Sequence, residues 1–556
     1  NDYSQNLDGG LKQTASPPTS PSNSCSSMAM PSLEAHELLA WLLVIVSTLL
    51  LIKQLLAPAK KRAGASSSPS LPRPRGLPLI GNLHQLGALP QDSLAALAAR
   101  HEAPLMLLRL GSVPTLVVSS PDAARCVFQH NDRALSGRPA LYAAVRLSYG
   151  LQNISFAPPD GTFWRAARRA CLSELLGAPR VRGFRDARER ETAALVATVA
   201  DASQTGGPVD LSELLVATSN RIVRRVAFGG RDDGGMDTSA VLKETQNLLG
   251  AFWVADYVPW LGWLDALRGL RGRLERNFRQ LDAFYDSVID SHLHKRTSSS
   301  ADEEEEEDLV DVLLRLHADP AHRSTFGSRA QIKGILTDMF IAGTDTSAAT
   351  VEWTMTELVN HPDVLVKAQH EVRSVVGDGT DMVREPDLPR LCYLKLVIKE
   401  SMRLHPPAPL LVPRETTEPC TVQGCEIPAG TRVIVNAKAI GAHAGAWGPD
   451  AALFVPERHS EAVDAGKDFR PWVDDSFALV PFGIGRRSCP GVHFATAVVE
   501  LVLANLLFSF DWSAPVGEMV DAEEKNGLTV YRKNPLVLLA KRADACRLAS
   551  ETWTRA

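Results

Sequence analysis

Hydrophobic and polar positions fall into three kinds of pattern along the chain. From Leu38 to Ile52 the sequence LLAWLLVIVSTLLLI carries no charge, and Leu55, Leu56 and Ala57 extend it past Lys53 and Gln54. That is about one bilayer's worth of helix. Further on, Ile332, Ile335, Leu336, Met339 and Phe340 recur at helical spacing. This pattern starts at Arg329 and runs towards Asn360, with Pro362 as its stop signal. A strongly apolar helix is also predicted from about Val492 to Phe510. Glu500 and Asn505 interrupt it, so it reads as a buried core helix rather than a second membrane span. Strand-like patches are short, such as Thr115 to Val118 and Arg432 to Val435. The pattern predicts a mainly α body with a minor β region. No Gly-rich loop follows a strand to support a Rossmann unit.

The breaks between these patterns divide the chain. Residues 1–27 are rich in Ser, Pro, Asn and Gly, cannot bury enough apolar surface to fold, and are expected to be disordered. Met28 and Met30 stand just before the first structured segment, so the natural start is expected at one of them, with the preceding residues as upstream translated sequence. Glu34 and Glu37 precede the apolar span and Lys60, Lys61 and Arg62 follow it. The positive-inside bias then makes residues 33–57 a transmembrane signal anchor and places the following chain in the cytosol. A cleaved secretory signal, the competing reading, needs a shorter apolar core and a small-residue cleavage site. Residues 58–78, with Pro69, Pro72, Pro74 and Pro78, read as a basic, semi-rigid hinge. The body is expected over 79–542 and a tail over 543–556. The acidic run Glu303 to Glu307 reads as a solvated loop.

Composition narrows the chemistry. A net charge of −5 argues against nucleic acid as a partner, which calls for an excess of Lys and Arg. The eight cysteines are scattered and form no C-x-x-C pair, a pattern that suits a reducing compartment. Cys420 and Cys425 lie near each other; a metal or disulfide pair is the alternative, and neighbouring thiols on two strands of a small sheet are the expected reading.

The densest chemistry is the segment Pro481 to Gly491, PFGIGRRSCPG, ahead of the last apolar helix. Cys489 stands at a helix entrance, where free N–H groups and the helix dipole favour negative charge on sulfur. Gly483, Gly485 and Gly491 allow close backbone approach to a flat ligand, and Arg487 sets a cation two residues from the sulfur. A buried structural cysteine in a Gly-rich turn would be the blander reading of a lone Cys. Phe482, Gly485, Arg487, Cys489 and Gly491 together resemble the haem-binding signature F-x-x-G-x-R-x-C-x-G of cytochromes P450.

The resemblance extends from about Gly76 to Lys541, and segments such as LPLIGNLHQLG and KESMRLHPPAPLLVPRE look like the plant microsomal A-type class. It implies the cytochrome P450 fold behind one N-terminal transmembrane helix, heme b (iron protoporphyrin IX) as cofactor, and Cys489 as the metal ligand. Ala342 to Ser347, AGTDTS, resembles the family pattern that widens the distal helix, with Asp345 and Thr346 as the catalytic pair relaying protons. Small residues easing helix packing are the alternative for this stretch. Trp164 and Arg168, one turn apart in FWRAARR, with Arg414 and Arg487, resemble the residues that meet haem propionates. Glu400, Arg403 and Arg458 resemble the family's structural Glu-Arg-Arg lock. His459, Lys438, Ala442, His443 and Ala444 depart from the family pattern and put local stability in doubt.

The implied activity is a monooxygenase that inserts one oxygen atom of O2 into a small lipophilic, specialised-metabolism substrate. NADPH-cytochrome P450 reductase would supply electrons, with Arg486 helping to dock it. The implied location is the endoplasmic reticulum membrane, single-pass, with membrane lipid around the anchor and the catalytic body cytosolic. A haem-thiolate isomerase or dehydratase working without O2 is one alternative, which the intact Asp345 and Thr346 count against. A catalytically silent membrane-anchored interaction protein is another. By the same resemblance the substrate pocket draws on Arg138 to Phe156, Met339 to Thr346, Ala408 to Val412 and Asn526 to Val530.

Overall fold

The computed structural model describes residues 41–46, 70–204, 206–230, 238–298, 307–377, 380–460, 476–515 and 519–543. The chain divides into two units, Asn1–Gly64 and Ala65–Ala556. Within the first, only 41–46 is described, a helical stretch with every side chain exposed. The disordered tail expected at 1–27 and most of the span expected at 33–57 lie outside the described residues, as do 58–69 of the hinge and 544–556 of the tail. The second unit is mainly helical, with eleven short strands among its described residues.

Five helices position the site: α1 (Thr162–Ala170), α2 (Leu211–Phe228), α3 (Arg329–Asn360), α4 (Cys392–Leu404) and α5 (Val492–Ser509). α3 has the bounds its periodicity predicts. A capping box of Ser328 and Gln331 satisfies its first free N–H groups, and Pro362 opens the next helix. Its residues 347–358 are all buried, because α2, α4 and α5 pack around the helix. α5 is apolar and long enough to cross a membrane, yet it is mostly buried in the protein core. The fully buried Asn505 in α5 binds both the N–H and the carbonyl of Val383, which removes the cost of an amide in an apolar helix.

The strands are, in chain order, β1 (Leu105–Leu110), β2 (Val113–Val118), β3 (Val209–Asp210), β4 (Arg414–Glu415), β5 (Cys420–Val422) and β6 (Cys425–Ile427). They continue with β7 (Arg432–Val435), β8 (Phe510–Ser513), β9 (Glu524–Lys525), β10 (Tyr531–Arg532) and β11 (Val537–Arg542). The main sheet has the order β1-β2-β7-β4, so the two predicted strand patches are neighbours, paired in parallel from Thr115↔Arg432 to Val118↔Val435. β7 is buried along its whole length, as a central strand covered on both faces should be. Cys420 and Cys425 sit on the paired strands β5 and β6 with no disulfide between them, as expected. The turn between them is Gln423-Gly424, both with positive φ, the geometry of a two-residue hairpin.

The body begins inside the segment read as hinge. Leu71 is buried in the core beside the sheet, the Leu107 N–H donates to the Pro72 carbonyl at 3.0 Å, and Asn82 Nδ2 donates to the Pro74 carbonyl. Proline fixes the backbone here while its carbonyls still accept, so a Pro-rich stretch can dock along a sheet edge.

Candidate active site

One cavity lies between α3 and the loop that enters α5. Its α3 wall is Asp338, Met339, Ala342, Gly343, Thr346, Ser347 and Thr350, a stripe at helical spacing. Opposite stand Phe482, Gly483, Arg487, Ser488, Cys489 and Gly491. Two distant signatures read from the sequence therefore face one another across a single space.

The loop before α5 is shaped to present sulfur. The Cys489 N–H donates to the Phe482 carbonyl at 2.8 Å, closing the turn. Gly485 has φ +58, and a Cβ there would fall 2.3 Å from Asp132 Oδ1, so only glycine fits. Asp132 accepts from the Arg486 N–H at 3.0 Å and from Arg414 Nη1 at 3.3 Å, tying the loop to β4. The Cys489 sulfur is open to the cavity and enclosed by protein elsewhere. That burial pushes its thiol pKa up, while the Gly491 N–H at 3.3 Å and the nearby Arg168 pull it down. Gly491 is the N-cap of α5, so the helix-entrance N–H expected for Cys489 is present.

Four guanidiniums line the same cavity: Arg138, Arg168, Arg414 and Arg487. Arg487 is held by the carbonyls of Ser136 (2.8 Å), Ile154 (3.1 Å) and Ala157 (2.5 Å). Burial first, then repulsion from Arg414 and Arg168, lowers its pKa to about 9. Burial lowers Arg414 to about 10, with Asp132 opposing. Arg138 and Arg168 are lowered too, again chiefly by burial. Such crowded, poorly solvated cations call for an anion. Arg414 also donates to the Ile484 carbonyl, and Arg168 to the Ser488 carbonyl at 2.9 Å.

Trp164 stands behind this wall. Its indole N–H donates to the Ile154 carbonyl at 3.0 Å, and its ring lies 4.2 Å from the Arg487 guanidinium carbon. It braces Arg487 through a cation–π contact. On α3, Thr346 reaches the cavity and its hydroxyl donates to the Ala342 carbonyl at 2.8 Å. Asp345 is next to it, with Tyr531 donating to its backbone carbonyl at 3.0 Å. Burial raises the Asp345 carboxyl to about 6.

Gly343 lies within the continuous helix α3 and lets α2 approach, since a Cβ there would meet Val223 at 3.2 Å. Sequence reasoning missed Arg138 as a fourth cation, and also Asp132 and Tyr531. None of these belongs to a spaced motif, and only folding brings Arg138 to the cavity, Asp132 to Arg414 and the Arg486 N–H, and Tyr531 to Asp345.

The sequence relations agree with the geometry. The cytochrome P450 family model matches residues 71–539. The chain belongs to the cytochrome P450 family. Cytochrome P450 71A9 of Glycine max is 49% identical over 90% of this chain and 97% of its own length. Strychnine-11-hydroxylase of Strychnos nux-vomica is 45% identical over 86% of this chain and 93% of its own. Tryptamine 5-hydroxylase of Oryza sativa subsp. japonica is 41% identical over 89% and 95%. Within the family the chain is a plant A-type cytochrome P450, and its activity is that of a monooxygenase. A haem-thiolate iron is the family's cofactor, and the donor set fits it: one open sulfur, and four cations suited to a porphyrin's carboxylate arms.

Two of the departures from the family pattern, His459 and Lys438, are accommodated. Glu400 receives Arg403 at 2.7 and 2.8 Å, Arg458 at 2.8 Å and the Val455 N–H at 3.0 Å. His459 adds a further bond at 2.8 Å, so the residue that replaces Phe joins the lock. Lys438 pairs with the buried Glu524 at 2.6 Å and with Asp92 at 2.8 Å. His443 is less well served, since its Nδ1 is buried with no partner.

Proposed function

We propose that this monooxygenase inserts one oxygen atom of O2 into a small lipophilic compound of plant specialised metabolism. NADPH-cytochrome P450 reductase supplies the electrons, at the endoplasmic reticulum membrane, to which residues 33–57 anchor a cytosolic body. The bound group is heme b, which supplies dioxygen binding and activation. Cys489 ligates it, Arg168, Arg414 and Arg487 pair with its carboxylates, and Trp164 braces Arg487. Phe482 and Gly491 line its thiolate side. Asp345 and Thr346 pass protons to the cavity: a carboxyl with a pKa of about 6 both gives and takes a proton near neutral pH, and Thr346 carries a hydroxyl on the wall.

The observation that supports this reading best is the shared cavity, with the Cys489 sulfur on one side and Thr346 on the other. Met339, Val223, Val226, Leu309, Ala408 and Leu411 give the remaining wall an apolar character suited to a lipophilic substrate. Two relatives carry hydroxylase names for strychnine and tryptamine, so nitrogenous aromatics are the first compounds to offer. The test is expression of the full chain with the reductase in microsomes, followed by a screen for substrate-induced Soret shifts. NADPH-dependent oxygen uptake with an oxygenated product is expected. Product formation without oxygen uptake would replace the reading with an isomerase or dehydratase.

A further inference from the structure

One buried carboxylate in the cavity wall has no part in the reading above. Asp338, two turns before Thr346 on α3, is 9% exposed and accepts from Asn153 Nδ2 at 2.8 Å, the Ile154 N–H at 2.6 Å and the Ser155 N–H at 3.0 Å. The same short loop holds the cations with its carbonyls. Ser155 O accepts from Arg138 Nε at 2.9 Å, Ile154 O from both Trp164 and Arg487, and Ala157 O from Arg487. N–H groups on one side of the loop thus answer to α3, and carbonyls on the other aim the guanidiniums.

Two independent features show that this docking is built in. Gly334, one turn before Asp338, has the Gln152 carbonyl oxygen 2.2 Å from where a Cβ would be, so α3 omits a side chain to let the loop close. The loop is also entered through three successive left-handed residues, Tyr149, Gly150 and Leu151, with φ of 55°, 76° and 65°. Non-glycine residues keep such backbone only when surrounding contacts hold it there.

We propose that Asp338 is a positioning residue: through the loop at 152–157 it sets Arg138, Arg487 and Trp164 in place for the anionic arms of the cofactor. This rests on the haem reading. It makes cofactor retention depend on a carboxylate of the distal helix that lies outside every motif in the sequence.

The test uses the full-length holoprotein and two readouts, amide hydrogen exchange at Ile154 and Ser155 and the rate of haem transfer to excess apomyoglobin. Asp338→Asn should speed exchange at both amides and accelerate haem transfer about tenfold, as loss of supporting partners does at metal sites. Asn153→Ala removes one donor to the same carboxylate and should act in the same direction, about threefold, which decides the matter if the first variant does not fold. Glu352→Gln, which alters another buried carboxylate of α3 away from the cavity, sets the haem loss that mere helix destabilisation causes. Wild-type exchange at Ile154 and Ser155 in Asp338→Asn, or haem loss no greater than in Glu352→Gln, would overturn the proposal. Wild-type protein that holds no haem would instead sink the functional reading and leave the exchange data to decide the latch.

Discussion

Partial desolvation disfavours the thiolate of Cys489, and that cost is opposed by one N–H and one guanidinium. In the proposed role iron would complete the balance, because a ligating thiol is deprotonated by the metal itself. Cys489→Ala should therefore abolish the red-shifted Soret band of the ferrous carbon monoxide complex and stop oxygenation, with helical circular dichroism retained. Asp345 shows the same effect in a carboxyl, which burial lifts to about 6. As a proton donor it empties as pH rises through that value, so turnover limited by proton delivery falls on the alkaline side. Asp345→Asn should erase this limb of the kcat profile and lower kcat by about 10²-fold, the low end of general acid contributions. An unchanged profile would remove Asp345 from the relay. At this scale the motif residues were legible because chemistry fixed their spacing, whereas Arg138 fell within an expected pocket segment with nothing to mark it as a partner of the other cations.

Elements are held in register by buried polar locks as much as by apolar packing. Glu400 of α4 has no exposed surface; burial alone would raise its carboxyl, yet hydrogen bonds from Arg403, His459 and Val455 bring it down to about 2. A folded pKa below the ordinary carboxylate value gives stability that is present above about 4.5 and lost as pH falls towards about 2. Urea midpoints measured from about pH 5 to about pH 3 should fall in the wild type, and Glu400→Gln should flatten that slope. The same variant leaves Arg403 buried without its counter-charge and should cost about 3–5 kcal/mol at neutral pH. His459→Phe, which restores the usual family residue, removes one partner of Glu400 and should cost about 2 kcal/mol by the same melts. The bounds of α3 were readable from its cap and from Pro362. The use of Gly343 was not, because the close approach of α2 decides it.

Across the molecule, the cavity's cations face inward while the loop beneath it shows charge to solvent. Arg486 is more than half exposed, and its guanidinium is 3.8 Å from Asp132, too loose to tie it down. Arg486→Glu should slow the first electron transfer from the reductase at low salt, with the difference shrinking as ionic strength rises; stopped-flow rates equal to wild type would remove it from the docking face. The sequence by itself determined the class of fold, the long distal helix, the sulfur and its glycines, since periodicity and motif spacing are properties of a single stretch of chain. Tertiary structure alone decided which cations share the cavity, that Pro72 already belongs to the sheet edge, that His459 joins Glu400, and that Asp338 grips the loop behind Arg487. Those relations join residues up to hundreds of positions apart, and a partner that far away leaves no periodic trace in either segment.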